Sequence, residues 1–234
     1  MPNETSAGGG ANRREFLQSA LVGTVAGIAA RSGNWLESGH GPSAAARHSP
    51  DSALEELLAG NRRFAANQLT SIEHDLKILK EHTVDKQEPF AAVLACADSR
   101  VPVELVFDQT IGHIFVTRVA GNFVTPEIIA SLEYAVAVLK VRAILVLGHS
   151  SCGALKAAMK AETVPGQISA LYPPLRAAVV ASGGNADKAI STNARLQAEL
   201  LRTSSTVIRQ ATTAGALAVA AGVYDLASGK VSIV

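Results

Sequence analysis

The sequence predicts an α/β fold: a central, mostly parallel sheet flanked by helices, with an antiparallel strand at one edge. Three observations carry that prediction. Largely apolar runs of strand length recur at residues 90–95, 114–119, 143–147 and 216–223, and runs of this kind suit strands buried on both faces. Helical periodicity lies between them, most clearly at 126–139 and 189–212, and strands alternating with helices imply a parallel sheet covered on both sides. The C-terminal residues read as a strand ending in Tyr224-Asp225-Leu226, a turn Ala227-Ser228-Gly229-Lys230, and a returning strand from Val231, which places an antiparallel strand at the edge. The 234 residues, 48% hydrophobic and 18% charged, suffice for one substantial core and exclude a disordered chain.

The elements follow in chain order. Residues 1–46 are expected to be a leader. Arg13-Arg14 precede Phe16-Leu17 and an uncharged stretch, 16–30, that is too short to span a bilayer readily. The pattern resembles a twin-arginine export signal, and Ala44-Ala45-Ala46 offers a small-residue cleavage site. This predicts a periplasmic or extracellular product with no stable membrane insertion once the leader is gone. The leader holds three basic and three acidic residues, so the net charge of +1 is unchanged by its removal. Such neutrality gives no electrostatic case for nucleic acid or an anionic membrane.

The mature chain, 47–234, opens on a helical segment, 47–85. Leu54, Leu57, Leu58, Phe64 and Ala65 recur at helical spacing over 52–68, with Asp51 as the expected cap and Gly60 as an expected weak point. Residues 71–82 predict a second short helix, broken by Gln87 to Pro89. Thr125 is placed to cap the 126–139 helix, with Pro126 at its first position. Residues 162–187, rich in Pro and Gly, predict a loop mixed with a short helix.

Cys96 and Cys152 are the only cysteines, and both follow predicted strands, where open parallel sheets form their binding crevices. His149 precedes Cys152 by three residues at a strand-to-helix turn. Two sulfurs and an imidazole match the preferences of zinc and leave one tetrahedral position open. On spacing alone a disulfide or two buried core thiols remain open. Asp98 and Arg100, within four residues of Cys96, add a carboxylate and a guanidinium beside the first sulfur.

These residues resemble the beta-class carbonic anhydrases. The resemblance spans nearly all of the mature chain through Gly60-Asn61-Arg62-Arg63-Phe64, Cys96-Ala97-Asp98-Ser99-Arg100-Val101-Pro102, Arg118-Val119-Ala120-Gly121-Asn122, Ser131-Leu132-Glu133-Tyr134-Ala135 and Gly148-His149-Ser150-Ser151-Cys152-Gly153. It implies Zn2+ held by Cys96, His149 and Cys152, with Asp98 and Arg100 as a catalytic dyad. It also implies a homodimer or larger homo-oligomer in which the N-terminal arm embraces a second subunit. One form of the family has a Trp three residues before the first zinc cysteine; here that position is Val93. The other form lines its substrate pocket with a Gln, a Phe and a Tyr at spacings that fall on Gln87, Phe115 and Tyr134. The chain therefore looks like the open-site form, with Gln87 reaching the partner's site.

The implied activity is reversible hydration of carbon dioxide to bicarbonate and a proton. Two thiolates give zinc more charge than imidazoles do, so the water pKa of about 7 that belongs to three-histidine carbonic anhydrase sites does not carry over, and activity is expected to rise on the alkaline side of neutrality. Three alternatives are weighed beside it. Carbonyl sulfide or carbon disulfide hydrolysis on the same scaffold is disfavoured by Gln87, Phe115 and Tyr134. A non-catalytic zinc protein would have no need of Asp98 and Arg100. A redox dithiol would more commonly show Cys-x-x-Cys.

Overall fold

A computed structural model describes residues 44–71 and 83–234. Most of the expected leader and the expected helix over 71–82 lie outside the described residues. The strands are β1 (Ala91–Ala95), β2 (Ile114–Arg118), β3 (Ala143–His149), β4 (Ala218–Tyr224) and β5 (Val231–Ile233). They form one sheet of order β2-β1-β3-β4-β5. The first four are parallel and β5 runs antiparallel to β4, as the sequence predicts. β1 and β3 are buried along their whole length, which accounts for their unbroken apolar runs.

The helices are α1 (Pro50–Ala65), α2 (Val103–Val106), α3 (Pro126–Ala137), α4 (Gly153–Lys160), α5 (Tyr172–Ser182), α6 (Ala186–Ser204) and α7 (Thr206–Thr213). One apolar layer joins α1 and α2 to a sheet face through Leu57, Val103, Phe107 and Leu145. A second joins α3, α6 and α7 to the other through Leu132, Ile144, Ala198, Leu201 and Ile208.

Three local expectations are corrected. Ser49, not Asp51, caps α1: its hydroxyl accepts from the Ser52 N–H at 3.1 Å, while the Ser52 hydroxyl accepts from the Ser49 N–H at 2.8 Å. Gly60 does not interrupt α1. A Cβ there would lie 1.7 Å from the Phe107 carbonyl oxygen, so glycine lets the helix pack directly on the backbone after α2. As expected, the region 162–187 mixes loop with a helix, α5, whose Pro173 and Pro174 fall in the first turn, where no intrahelical N–H is needed. The expected 189–212 helix is two, α6 and α7. Ser205 is extended between them, and its hydroxyl accepts from the Ile208 N–H at 3.1 Å and donates to Glu133 at 2.6 Å.

The start of the described chain is tied down. Ala45 is buried, its carbonyl accepts from Arg142 Nε at 3.2 Å, and His48 stacks on Phe90 at 4.8 Å between ring centroids. Further along, Asp108 is enclosed and accepts from Arg63 Nε at 2.6 Å, from the Thr70 and Ser71 N–H groups at 2.9 Å each, and from the Thr70 hydroxyl at 2.8 Å. Burial works to raise its pKa, but these donors outweigh it and hold the carboxyl well below the usual range.

Candidate metal centre

The chain leaves β1 toward β2 on one side and returns as β3 on the other. The crevice outside the carboxyl ends of β1 and β3 is therefore the sheet's switch point. Cys96 is the residue after β1, His149 is the last residue of β3, and Cys152 is the residue before α4. The strand-turn-helix path needs a left-handed residue, supplied by Ser151 at φ 58°. It brings Sγ of both cysteines and a His149 ring nitrogen within 4.8 Å of one another. All three residues are buried, with 3% exposure at Cys96, 1% at Cys152 and none at His149.

The imidazole is fixed by its neighbour. Nδ1 lies 3.0 Å from the Ser150 carbonyl, which can only accept, so Nδ1 carries the proton and Nε2 keeps a lone pair. Nε2 is enclosed and has no hydrogen-bond partner. An orphaned buried acceptor is costly, and a cation between the sulfurs and this nitrogen removes that cost. Without one, the sulfurs share a proton. Donation from the Cys152 thiol, aided by the Gly121 N–H, pulls Cys96 down to about 4, while that same bond and burial push Cys152 up. A divalent ion in place of the proton satisfies both thiolates. The donor set thus fits zinc, with two sulfurs and one imidazole.

Beside the three donors stands a locked carboxylate. Arg100 donates through Nε to Asp98 Oδ1 at 2.9 Å and through a terminal nitrogen to Oδ2 at 2.8 Å, and its backbone N–H reaches Oδ1 at 3.0 Å. Arg100 thereby holds the Asp98 carboxyl well below the ordinary range. Asp98 Oδ2 is 3.8 Å from His149 Nε2, near enough to serve whatever sits between the donors.

Residues 91–231 match a family model described as carbonic anhydrase. A carbonic anhydrase of Mycolicibacterium smegmatis is 34% identical over 192 residues, which cover 79% of this chain and 93% of that one. The chain belongs to the beta-class carbonic anhydrases. Among solved structures, the beta-carbonic anhydrase of Coccomyxa in complex with acetazolamide is 29% identical with a TM-score of 0.60, covering 77% of this chain and 86% of that one. A beta-carbonic anhydrase of Aspergillus fumigatus is 26% identical with a TM-score of 0.62, covering 77% and 90%. As a beta-class carbonic anhydrase the chain is a zinc enzyme that hydrates carbon dioxide reversibly.

The structure brings Cys96, Asp98, Arg100, His149 and Cys152 together and keeps the three expected pocket residues apart from them. Phe115 is opposite Ala92, four residues before Cys96, so it lies on the order of 13 Å from that strand end. It packs instead against Tyr134 of α3, with ring centroids 6.3 Å apart, and Tyr134 is 46% exposed. Gln87 is exposed in the loop before β1. Within one chain this carbonic anhydrase does not build its own centre from these three.

Two contributors were not singled out by sequence reasoning. Arg118, at the end of β2, donates through Nε to the Cys96 carbonyl at 2.9 Å and through a terminal nitrogen to the Asp98 carbonyl, pinning the loop that carries the first donor and the carboxylate. The Gly121 N–H donates to Cys96 Sγ at 3.2 Å. Both sit inside a quoted motif, but only the fold shows that a charged strand end folds back onto carbonyls.

Proposed function

We propose that Cys96, His149 and Cys152 hold the zinc, that Asp98 and Arg100 form the working pair beside it, and that the enzyme is an exported homodimer of the open-site form. The observation that carries the site assignment is the enclosed, partnerless Nε2 of His149, which converges with two sulfurs at the mouth of the switch point. Zinc held there supplies a Lewis acid that makes water nucleophilic near neutral pH.

The chain's own residues do the rest. Asp98 stays ionised, because Arg100 holds it, and accepts a hydrogen bond from the reacting water, turning that water's free lone pair toward carbon dioxide. Arg100 occupies both carboxylate oxygens and restrains Asp98 from closing on the donors itself. Arg118 keeps both carbonyls of the intervening loop in place. Carbon dioxide is neutral, so the site needs no cationic funnel, in keeping with the net charge of +1.

Export is supported by Arg13-Arg14, Phe16-Leu17 and the uncharged stretch after them. Two features support the dimer: Tyr134 on α3 and Val138 just past its end are exposed, and among the described residues β2 is a terminal strand of the sheet. Gln87, Phe115 and Tyr134 then serve a partner's centre. Stopped-flow carbon dioxide hydration by the full chain, with zinc measured on the same sample, tests the assignment. Zinc near one per chain with no hydration would leave a metal-binding protein only.

A further inference from the structure

Gly121 and Asn122 are consecutive left-handed residues, at φ 88° and 43°. Glycine takes a positive φ freely, but at Asn122 it costs free energy and persists where surrounding bonds impose it. Those bonds come from α6. Asn193, wholly buried, donates through Nδ2 to the Gly121 carbonyl at 2.9 Å. One turn on, Gln197 accepts from the Val124 N–H through Oε1 at 2.9 Å and donates through Nε2 to Asn193 Oδ1 at 3.2 Å. The two side chains hold the loop at both ends and hold each other. A Cβ at residue 121 would meet Leu175 at 3.0 Å, so the loop has little room to settle elsewhere. What this bracing delivers is the Gly121 N–H, which meets Cys96 Sγ at 3.2 Å.

We propose that Asn193 and Gln197 are positioning residues of the metal centre: through the 121–124 loop they fix the Gly121 N–H on Cys96 and so set how much charge that thiolate gives the zinc. An N–H directed at a thiolate stabilises the sulfur lone pairs and weakens it as a donor, a lever known to tune metal–sulfur sites. Neither residue touches substrate or metal, and their place on a helix behind the loop makes the effect indirect. The inference rests on the assignment of Cys96 as a metal ligand.

Cobalt(II) in place of zinc gives a spectroscopic test that does not depend on turnover. In the cobalt-loaded full chain, the thiolate-to-cobalt charge-transfer band reports how tightly the sulfur holds its electrons. Asn193→Ala is expected to move that band to longer wavelength, because the thiolate freed of the N–H holds its electrons less tightly. Gln197→Glu keeps an acceptor for the Val124 N–H but loses the donor to Asn193, so a smaller shift in the same direction is expected. Leu201→Ala, equally buried on α6 in the layer away from the centre, should lower thermal stability and leave the band in place.

A band in Asn193→Ala that coincides with the wild-type one, or an equal shift in Leu201→Ala, overturns the inference. If Asn193→Ala does not fold, Gln197→Glu decides by the same criterion. A cobalt-loaded wild-type protein with no thiolate band overturns the ligand assignment itself, and this inference with it.

Discussion

Arg100 grips both oxygens of Asp98, at 2.9 and 2.8 Å, while Asp98 Oδ2 stands 3.8 Å from the unpartnered Nε2 of His149. The carboxylate is close enough to the three donors to become a fourth, and the guanidinium is what opposes it. In Arg100→Ala, Asp98 is expected to close on the metal. Hydration should fall by about 100-fold or more while zinc stays near one per chain. A structure of that variant with water still on zinc would sink the idea.

Gly60→Ala tests the close approach of α1 to Phe107. A methyl group 1.7 Å from a backbone oxygen cannot be absorbed by a side-chain rotation, so α1 must shift. The expected loss is at least about 3 kcal/mol, or roughly 6–12 °C in Tm for a domain of this size. Thermal unfolding followed by circular dichroism measures it, and a Tm within 2 °C of wild type would count against direct helix-to-backbone packing.

Asp108 gives the acid response a definite sign. Its carboxyl is held below the usual range by Arg63 and by the Ser71 and Thr70 donors, against the opposing effect of burial. A carboxyl depressed in the folded state stabilises above its unfolded value, about 3.9, and that contribution fades as pH falls toward the folded value. Urea midpoints of the wild type should therefore drop more between pH 5 and pH 3 than those of Asp108→Asn. Equal drops would show that the network carries no linked proton.

Metal removal should change the fate of the sulfurs. In the proposed zinc form, both are ligands. Without it they lie within 4.8 Å of each other and one is readily ionised. Oxidised glutathione should then convert them to a disulfide with release of two reduced glutathiones. Thiol counts after denaturation are expected to fall toward zero in metal-free protein and to stay at two in the zinc form. Loss of thiols at the same rate in both forms would mean that the metal does not protect them.

The proposed placement of Gln87 across a subunit boundary can be separated from a role within its own chain. Gln87→Ala and Cys96→Ala are each expected to abolish or greatly reduce hydration as homodimers. Mixed dimers should recover one working centre, because the Cys96→Ala chain still offers Gln87 to the intact zinc site of the other. No recovery on mixing would place Gln87 in its own chain's site.

Much of the fold was legible because its signals are local. β1 and β3 are buried on both faces and so carry unbroken apolar runs, and the turn before β5 has a glycine where φ reaches 73°. The Cys96, His149 and Cys152 constellation was legible because strand ends are where such a sheet must place chemistry. Contacts between distant segments were not. Gly60 reads as a weak point in a helix until Phe107 is seen against it, and Ser205 reads as helix until Glu133 is found beneath it. Asn193 and Gln197 left one faint trace, a pair of amides four residues apart in phase with Ile190, Ala194 and Leu201 on the buried side of α6. A polar pair in an apolar stripe points to something behind it.

The seat of Ala45 bears on processing. Its side chain is buried, its carbonyl is held by Arg142, and His48 beside it stacks on Phe90. Under the proposed export, a cut after Ala46 falls between two exposed residues, Ala46 and Arg47, and removes the buried Ala45 together with the carbonyl that Arg142 holds. The mature enzyme would then lack this tether, and its N-terminus would begin beside the stacked ring of His48.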